Sequence, residues 1–172
     1  KNMSRIKNII IPVILLMVAF IIIINLNNDK SSIKKSYPPL PKVVFEELSY
    51  FKNIAIGDKL NEKKYIINFF ASWCAPCRTE HKYLLKLSKE RKKIKIIGIN
   101  FKDKKNNAIN FLEELGDPYS FVGKDSEGRI SILFGIYGIQ ESILVDSNLT
   151  IIKKIVGPID QIQYDEILKI TK

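Results

Sequence analysis

Cysteine and histidine are scarce in this chain, which contains only Cys74, Cys77 and His81. A structural zinc site takes about four such ligands, so these three residues are too few to build one. Arg78 follows the second cysteine, and the pair is therefore not the Cys-x-x-Cys-His sequence that attaches c-type haem. The sequence predicts no metal site.

Acidic residues are missing from the first 26 positions, which carry three positive charges. The whole chain has a net charge of +10, so the remainder carries 10 minus 3, or +7. A basic balance is one sign of nucleic-acid binding. The lysines are nevertheless scattered, and no basic stripe with interleaved aromatic residues is present, so we predict no nucleic-acid partner. A basic domain tethered to a membrane would also be held closer to an anionic lipid surface.

One long apolar run stands near the beginning of the chain. Residues Ile9 to Ile24 include no polar side chain, and with Asn25 and Leu26 the run reaches 18 residues. That length is near the lower limit of about 17 to 25 residues for a membrane-spanning helix. No small-x-small cleavage site follows, so we predict an uncleaved signal anchor over residues 1–26, with a cleaved signal peptide as the alternative. The charges before the run weakly favour a cytoplasmic N-terminus, which would place the rest of the chain outside, where disulfides form.

After a linker over residues 27–41, segments with the apolar pattern of buried strands alternate with segments that have the apolar period of helices. The linker ends in Tyr37-Pro38-Pro39-Leu40-Pro41, which favours an extended, polyproline-like spacer. We predict strands over Tyr65–Phe70, Ile94–Asn100, Glu141–Val145 and Thr150–Val156, and helices over Arg78–Glu90, Asn106–Leu115 and Ile159–Lys169. This order indicates an α/β domain over residues 42–172, with a mixed sheet and helices on both of its faces.

The two cysteines stand between the first of these strands and the first helix. Two intervening residues let both sulfurs meet across the first helical turn, and Pro76 suits an early helical position because its missing N–H has no intrahelical partner there. Free N–H groups and the helix dipole should lower the pKa of Cys74 below its ordinary value of about 8.5. We predict that Cys74 is the nucleophile and Cys77 the resolving thiol. A purely structural disulfide is less favoured, since so short a ring restrains the unfolded chain little.

Glu80 lies three residues after Cys77, in helical register with Leu84 and Leu87. This register predicts that its carboxyl group lies on the apolar side of the helix, near the resolving sulfur. Burial would raise its pKa and let it hold or take a proton. The alternative is a carboxylate paired with Lys or Arg at the edge of that face. His81 points about 100° away around the helix, and we expect it at the surface.

Three stretches of the sequence resemble a known family: Asn68–His81 (NFFASWCAPCRTEH), Gly98–Asp103 (GINFKD) and Phe134–Asp146 (FGIYGIQESILVD). Between about Pro41 and Ile159 the chain looks like a thioredoxin-fold protein. More narrowly, it resembles the membrane-anchored thiol–disulfide oxidoreductases of cytochrome c maturation, the DsbE/CcmG type within the TlpA/ResA-like group.

The resemblance implies a thioredoxin-like sheet, with the dithiol at the tip of the first helix of the fold. The implied activity is reduction of the Cys-x-x-Cys-His disulfide of apocytochrome c, or of a partner protein that holds that cysteine. The implied electron donor is a membrane protein resembling DsbD or CcdA, and no bound cofactor is expected. The implied location is the bacterial inner membrane, with a single pass and the catalytic domain on the periplasmic side.

The resemblance also assigns residues to the site. It implies that the two acids Glu80 and Glu141 belong to the active site. It also implies that four residues bind the substrate: Trp73, Pro76, Ile139 and Gln140. Many thioredoxins carry a buried aspartate six residues before the first cysteine. That position is Asn68 here, and an asparagine cannot accept a proton at neutral pH.

Gln140 departs from the family pattern, which has a cis-proline at this position opposite the dithiol. A cis bond costs about 2.5–4 kcal/mol before a non-proline residue and about 0.5–1 kcal/mol before proline. We therefore predict a trans Ile139–Gln140 bond and a docking edge that is less preorganised.

Two alternatives to a reducing function stay open for the protein: a general extracytoplasmic disulfide oxidant, and a low-turnover binding module for an assembly partner.

Overall fold

The computed structural model describes residues 11–22, 39–48, 53–55, 64–90 and 94–171. The chain divides into two units, residues 1–36 and residues 37–172. In the first unit, residues 11–22 form helix α1, whose apolar side chains are exposed. Across the described residues, no helix combines the length and the apolar character that a membrane crossing needs. Both ends of the apolar run, and most of the predicted linker, lie outside the described residues, so the anchor stays a prediction.

A five-stranded mixed sheet forms the centre of the second unit. Its elements are β1 (Val44–Glu46), β2 (Asn53–Ala55), β3 (Lys64–Phe70), α2 (Ala75–Glu90), β4 (Ile94–Phe101), α3 (Lys105–Leu115), β5 (Phe121–Asp125), α4 (Arg129–Leu133), β6 (Glu141–Asp146), β7 (Ile151–Val156) and α5 (Gln161–Ile170). The strand order is β5-β4-β3-β6-β7, while β1 and β2 pair separately. Strands β3, β4 and β5 are parallel, β6 is antiparallel to β3, and β7 is antiparallel to β6. The predicted mixed sheet is confirmed.

The central strand β3 is buried on both faces, which explains its continuous apolar sequence. Ile66 and Phe70 face a cluster that includes side chains of α2, α3 and α5. Ile67 and Phe69 face a second cluster, which includes side chains of α4. Helices therefore cover both faces of the sheet, as predicted.

Within the five-stranded sheet and its flanking helices, β5 and α4 were not predicted from the sequence, and helix α2 begins three residues earlier than expected. Strand β5 contains Gly123 and the polar residues Lys124 and Asp125, so its apolar pattern is weak. Helix α4 has only five residues, too few to show a helical period, and it follows Gly128 with a φ of 77°. Helix α2 begins at Ala75, because Pro76 is compatible with its first turn.

The topology brings three loops to one edge of the sheet. The parallel strands β3 and β4 end at this edge, and they lead into α2 and α3. Strand β6 runs in the opposite direction and begins there, since Ser142 pairs with Asn68. The segments that follow Phe70 and Phe101, and the segment that precedes Glu141, therefore converge around the first turn of α2.

Candidate active site

Cys74 and Cys77 form a disulfide, with an S–S distance of 2.03 Å. Cys74 directly precedes α2, and its Sγ atom accepts a hydrogen bond from the backbone N–H of Cys77 over 3.2 Å. The sulfur of Cys74 thus receives an N–H of the first helical turn, where a negative charge is favoured. Cys74 is 4% exposed and Cys77 is 1% exposed, so Cys74 is the more accessible sulfur by a small margin. This geometry agrees with Cys74 as the nucleophile.

Glu80 is buried one turn after Cys77, on the face of α2 that also buries Leu84. Its Oε1 atom accepts a hydrogen bond from Asn68 Nδ2, and its Oε2 atom accepts one from the backbone N–H of Ile159, both over 2.9 Å. Burial raises the pKa of Glu80 above its ordinary value, and the two hydrogen bonds offset part of that rise. No lysine or arginine pairs with Glu80 among the described residues, so the alternative of a salt bridge at the edge of the helix face is wrong. The predicted burial of Glu80 is confirmed.

Asn68 connects Glu80 to two further polar side chains. Its amide Nδ2 also donates to Ser142 Oγ over 3.0 Å, and its Oδ1 accepts from the hydroxyl of Tyr119 over 2.8 Å. Burial raises the pKa of Tyr119 well above its ordinary value, so this hydroxyl stays neutral and keeps its proton to donate. Sequence reasoning missed Tyr119 and Ser142. The available signal was an asparagine in the middle of an otherwise apolar strand, because a buried amide needs partners.

His81 is buried, with 2% of its surface exposed, so the expectation of a surface histidine is wrong. Its Nε2 atom hydrogen-bonds the carbonyl oxygen of Gly116 over 2.7 Å, and its ring packs edge-on against Phe111 and Tyr119. Burial lowers the pKa of His81, which favours the neutral ring. Helix α3 and the segment after it cover this side of α2, so the helix is buried over a wider arc than its leucines indicate.

The Ile139–Gln140 bond is trans, and no cis bond occurs in the described part of the chain. This prediction is confirmed. Gln140 has a φ of 81°, in the left-handed region that glycine adopts most easily. Ile139 packs, half-buried, against the core cluster that contains both cysteines. The loop therefore packs on the core cluster that includes the disulfide, but with a backbone unlike that of a cis-proline turn.

Glu141 stabilises this loop by accepting hydrogen bonds from its backbone. Its Oε1 atom accepts hydrogen bonds from the backbone N–H groups of Tyr137 and Gly138, each over 3.3 Å. Its Oε2 atom forms an ion pair with Lys154 Nζ over 2.8 Å. Both side chains of this pair are largely buried. Glu141 thus fixes the shape of the loop, and no hydrogen bond in the described residues joins it to the cysteines, so its role as an active-site acid stays a prediction.

Trp73 and Pro76 flank Cys74 differently. Trp73 is 59% exposed, and its indole N–H donates to the carbonyl oxygen of Lys102 over 3.2 Å. Pro76 is half-buried in the first turn of α2. A mainly apolar cavity of about 290 Å³ is lined in part by Lys102, the residue that accepts the indole N–H of Trp73; its lining also includes Phe69, Phe101, Ile136, Tyr137 and Ile139. Of the predicted docking residues, Ile139 lines this cavity, and Trp73 is connected to it through the hydrogen bond to Lys102.

Comparisons with known proteins agree with this geometry. The Redoxin family matches residues 35–168. The chain is 47% identical over 104 residues to thiol:disulfide interchange protein CycY of Rhizobium leguminosarum bv. viciae, which covers 60% of this chain and 55% of that protein. It is 35% identical over 132 residues to thiol:disulfide interchange protein DsbE of Escherichia coli, which covers 76% of this chain and 70% of that protein.

A solved structure shows the same fold. The thioredoxin domain of a thiol-disulfide oxidoreductase from Bacteroides vulgatus matches with a TM-score of 0.68 at 20% identity, over 80% of this chain and 98% of that one. At this identity the likeness concerns the fold alone. It confirms the thioredoxin-like α/β class expected from the sequence.

Proposed function

Because the chain belongs to the Redoxin family and is a thiol:disulfide interchange protein of the DsbE type, we propose that it reduces a protein disulfide during cytochrome c maturation. The substrate in this proposal is the Cys-x-x-Cys-His disulfide of apocytochrome c, or a partner that carries one of its cysteines. The observation that carries it is the N–H of Cys77 directed at Cys74 Sγ, one helical turn before a buried Glu80.

The reaction begins with both cysteines reduced. The Cys74 thiolate attacks one sulfur of the substrate disulfide, and the other substrate sulfur leaves as a thiolate that takes a proton. Cys77 then loses its proton and attacks Cys74 Sγ, which releases the second substrate thiolate. The product is the Cys74–Cys77 disulfide seen in the structure. Two electrons pass to the substrate, and a membrane dithiol donor of the DsbD or CcdA kind returns two electrons to the protein.

Glu80 is suited to receive the proton of Cys77 in the second step. Its carboxyl group is buried on the face of α2 that also buries Cys77, and burial raises its pKa above the ordinary value. The hydrogen bonds from Asn68 and Ile159 fix both oxygens, so the carboxylate does not need to reorganise when it takes the proton.

A direct test compares two oxidised substrates. We expect the reduced protein to reduce a peptide with a Cys-x-x-Cys-His disulfide faster than insulin, and to have a reduction potential nearer the thioredoxin value of about −270 mV than the DsbA value of about −120 mV. A potential near the DsbA value would support the general oxidant instead. No preference for the peptide would count against the cytochrome c substrate.

One observation favours a second candidate, a binding module with low turnover. Gln140 replaces the cis-proline of the family pattern, and its trans bond and positive φ give the loop before β6 a different backbone. A Cys74→Ala variant that retains a maturation partner in a pull-down, together with wild-type insulin reduction at the uncatalysed rate, would support this candidate. Turnover well above the uncatalysed rate would exclude it.

We also propose that residues 1–26 anchor the domain in the inner membrane, with the catalytic domain on the periplasmic side. The support is the 18-residue apolar run and the helix α1 within it. Fractionation should recover the protein in the membrane with its N-terminal sequence intact. A soluble form that starts near residues 25–30 would show a cleaved signal peptide.

A further inference from the structure

One carboxylate joins two of the loops that meet at the disulfide. Asp103 Oδ2 accepts hydrogen bonds from the backbone N–H of Ser72 over 2.6 Å and from Asn100 Nδ2 over 3.2 Å. Its Oδ1 atom accepts from Ser72 Oγ over 2.9 Å and from the backbone N–H of Lys104 over 2.8 Å. Two of these bonds come from the loop between β3 and α2, and the other two come from the end of β4 and the start of α3.

Asp103 holds two backbone segments that position Trp73. Ser72 directly precedes Trp73, so Asp103 fixes the backbone from which the indole projects. Lys102 directly precedes Asp103, and its carbonyl oxygen accepts the indole N–H. Lys102 has a φ of 42°, a backbone conformation that a lysine rarely adopts alone, so the segment depends on its contacts. The exposed indole is therefore placed by two backbone segments, one before Trp73 and one that accepts its N–H, and Asp103 connects the two segments.

We propose that Asp103 is a positioning residue that holds Trp73 on the rim of the site, and that it thereby determines the preference for peptide disulfides over small ones. This proposal rests on the proposed thiol–disulfide exchange function. An extended peptide that presents a cystine to Cys74 must lay its neighbouring side chains on the adjacent surface. Trp73 directly precedes Cys74 and is 59% exposed, and Lys102, which accepts its indole N–H, also lines the apolar cavity. A small disulfide has no such neighbouring side chains to place there.

Asp103→Asn is the first test variant, because an amide has one acceptor oxygen and cannot replace the hydrogen bonds at both carboxylate oxygens. The probes are an oxidised Cys-x-x-Cys-His peptide, insulin, and hydroxyethyl disulfide. For both polypeptide substrates, kcat/KM should fall by about tenfold or more, mainly through KM, as expected when an aromatic contact residue is displaced. The rate with hydroxyethyl disulfide should stay within about twofold of wild type.

Trp73 supplies an independent readout, because it is the only tryptophan in the chain. In Asp103→Asn, its fluorescence emission and its quenching by acrylamide should both change, since the hydrogen bonds at one carboxylate oxygen are lost and the backbone before Trp73 is held less firmly. Ser72→Ala removes only the hydroxyl contact and should give the same pattern with smaller changes. This milder variant keeps the test open if Asp103→Asn does not fold.

Asp146→Asn is the matched control. This carboxylate also holds a loop, by accepting the backbone N–H groups of Asn148 over 2.8 Å and Thr150 over 2.9 Å, but it lies at the other end of β6 from Glu141. It should leave the kinetics and the fluorescence unchanged even if it lowers stability. Equal slowing of polypeptide and small substrates by Asp103→Asn, or slowing of polypeptides with unchanged fluorescence, would overturn the proposal. Failure of the proposed substrate would appear differently, as a wild-type protein with no preference for the Cys-x-x-Cys-His peptide.

Discussion

Replacing Glu80 by glutamine should slow the release of a mixed disulfide without unfolding the domain. The carboxylate accepts one hydrogen bond at each oxygen, from Asn68 and from Ile159. Glutamine keeps only one oxygen, so one buried donor loses its acceptor, at a cost of about 1–3 kcal/mol in the free energy of unfolding. Loss of a positioned proton acceptor should reduce the resolution rate by about 10² to 10⁴-fold. The kinetic effect should therefore exceed what the stability loss explains.

The pH dependence of stability gives this variant a second signature. Burial raises the pKa of Glu80 above its ordinary value of 4.5, so the native state holds this proton more tightly than the unfolded state. Between 4.5 and the native pKa, the free energy of unfolding must then fall as the pH rises. Below 4.5 the carboxyl group is protonated in both states and the stabilising effect is complete. Glu80→Gln should lack this downward slope.

The assay is rapid mixing of the reduced protein with an oxidised peptide, followed across a pH series, with denaturant unfolding over the same series. Glu166→Gln is the control, since Glu166 is a partly exposed carboxylate that pairs with Lys153 on the surface. Identical pH–rate profiles for wild type and Glu80→Gln would refute the proton-acceptor role. An unchanged slope of stability with pH would refute the raised native pKa.

Three further predictions concern other parts of the site. Gln140→Gly should stabilise the fold by up to about 1 kcal/mol, because glycine adopts the φ of 81° without strain, whereas Gln140→Pro should destabilise it by about 1–3 kcal/mol, because proline requires a φ near −65°. Denaturant unfolding checks both, and a more stable Gln140→Pro would show that the loop can rebuild around a proline. Burial lowers the pKa of His81 below 6.5, so the free energy of unfolding should decrease as the pH falls below that value, and His81→Gln should abolish this decrease. Alkylation of the reduced protein near neutral pH, followed by peptide mapping, should label Cys74 first, and predominant labelling of Cys77 would reverse the assignment.

The elements with strong local signals were predictable from the sequence. Strand β3 is apolar at nearly every position because both faces are buried, and the helix α2 follows from Pro76 and the spacing of Leu84 and Leu87. The burial of Glu80 was predictable for the same reason, since the helical period alone places it on the apolar face. The trans bond before Gln140 followed from the covalent cost of a cis peptide.

The missed features depend on contacts between distant parts of the chain. His81 is buried by Phe111 and Gly116, which are 30 and 35 positions away in sequence, and no local period reveals that cover. Tyr119 reaches Asn68 across 51 positions. Asp103 was part of a recognised stretch, but its bonds to Ser72 exist only because two parallel strands end at the same edge. Strand β5 was missed because its pairing with β4, rather than its own residues, makes it a strand.

Trapping of a mixed disulfide tests the central claim most directly. In the reduced Cys77→Ala variant, Cys74 should attack an oxidised Cys-x-x-Cys-His peptide and remain linked to it, because no resolving thiol is present. Mass spectrometry should then locate the peptide on Cys74, and the matched Cys74→Ala variant should form little adduct. Equal adduct formation through Cys77 in Cys74→Ala, or no adduct on Cys74 in Cys77→Ala, would contradict the account.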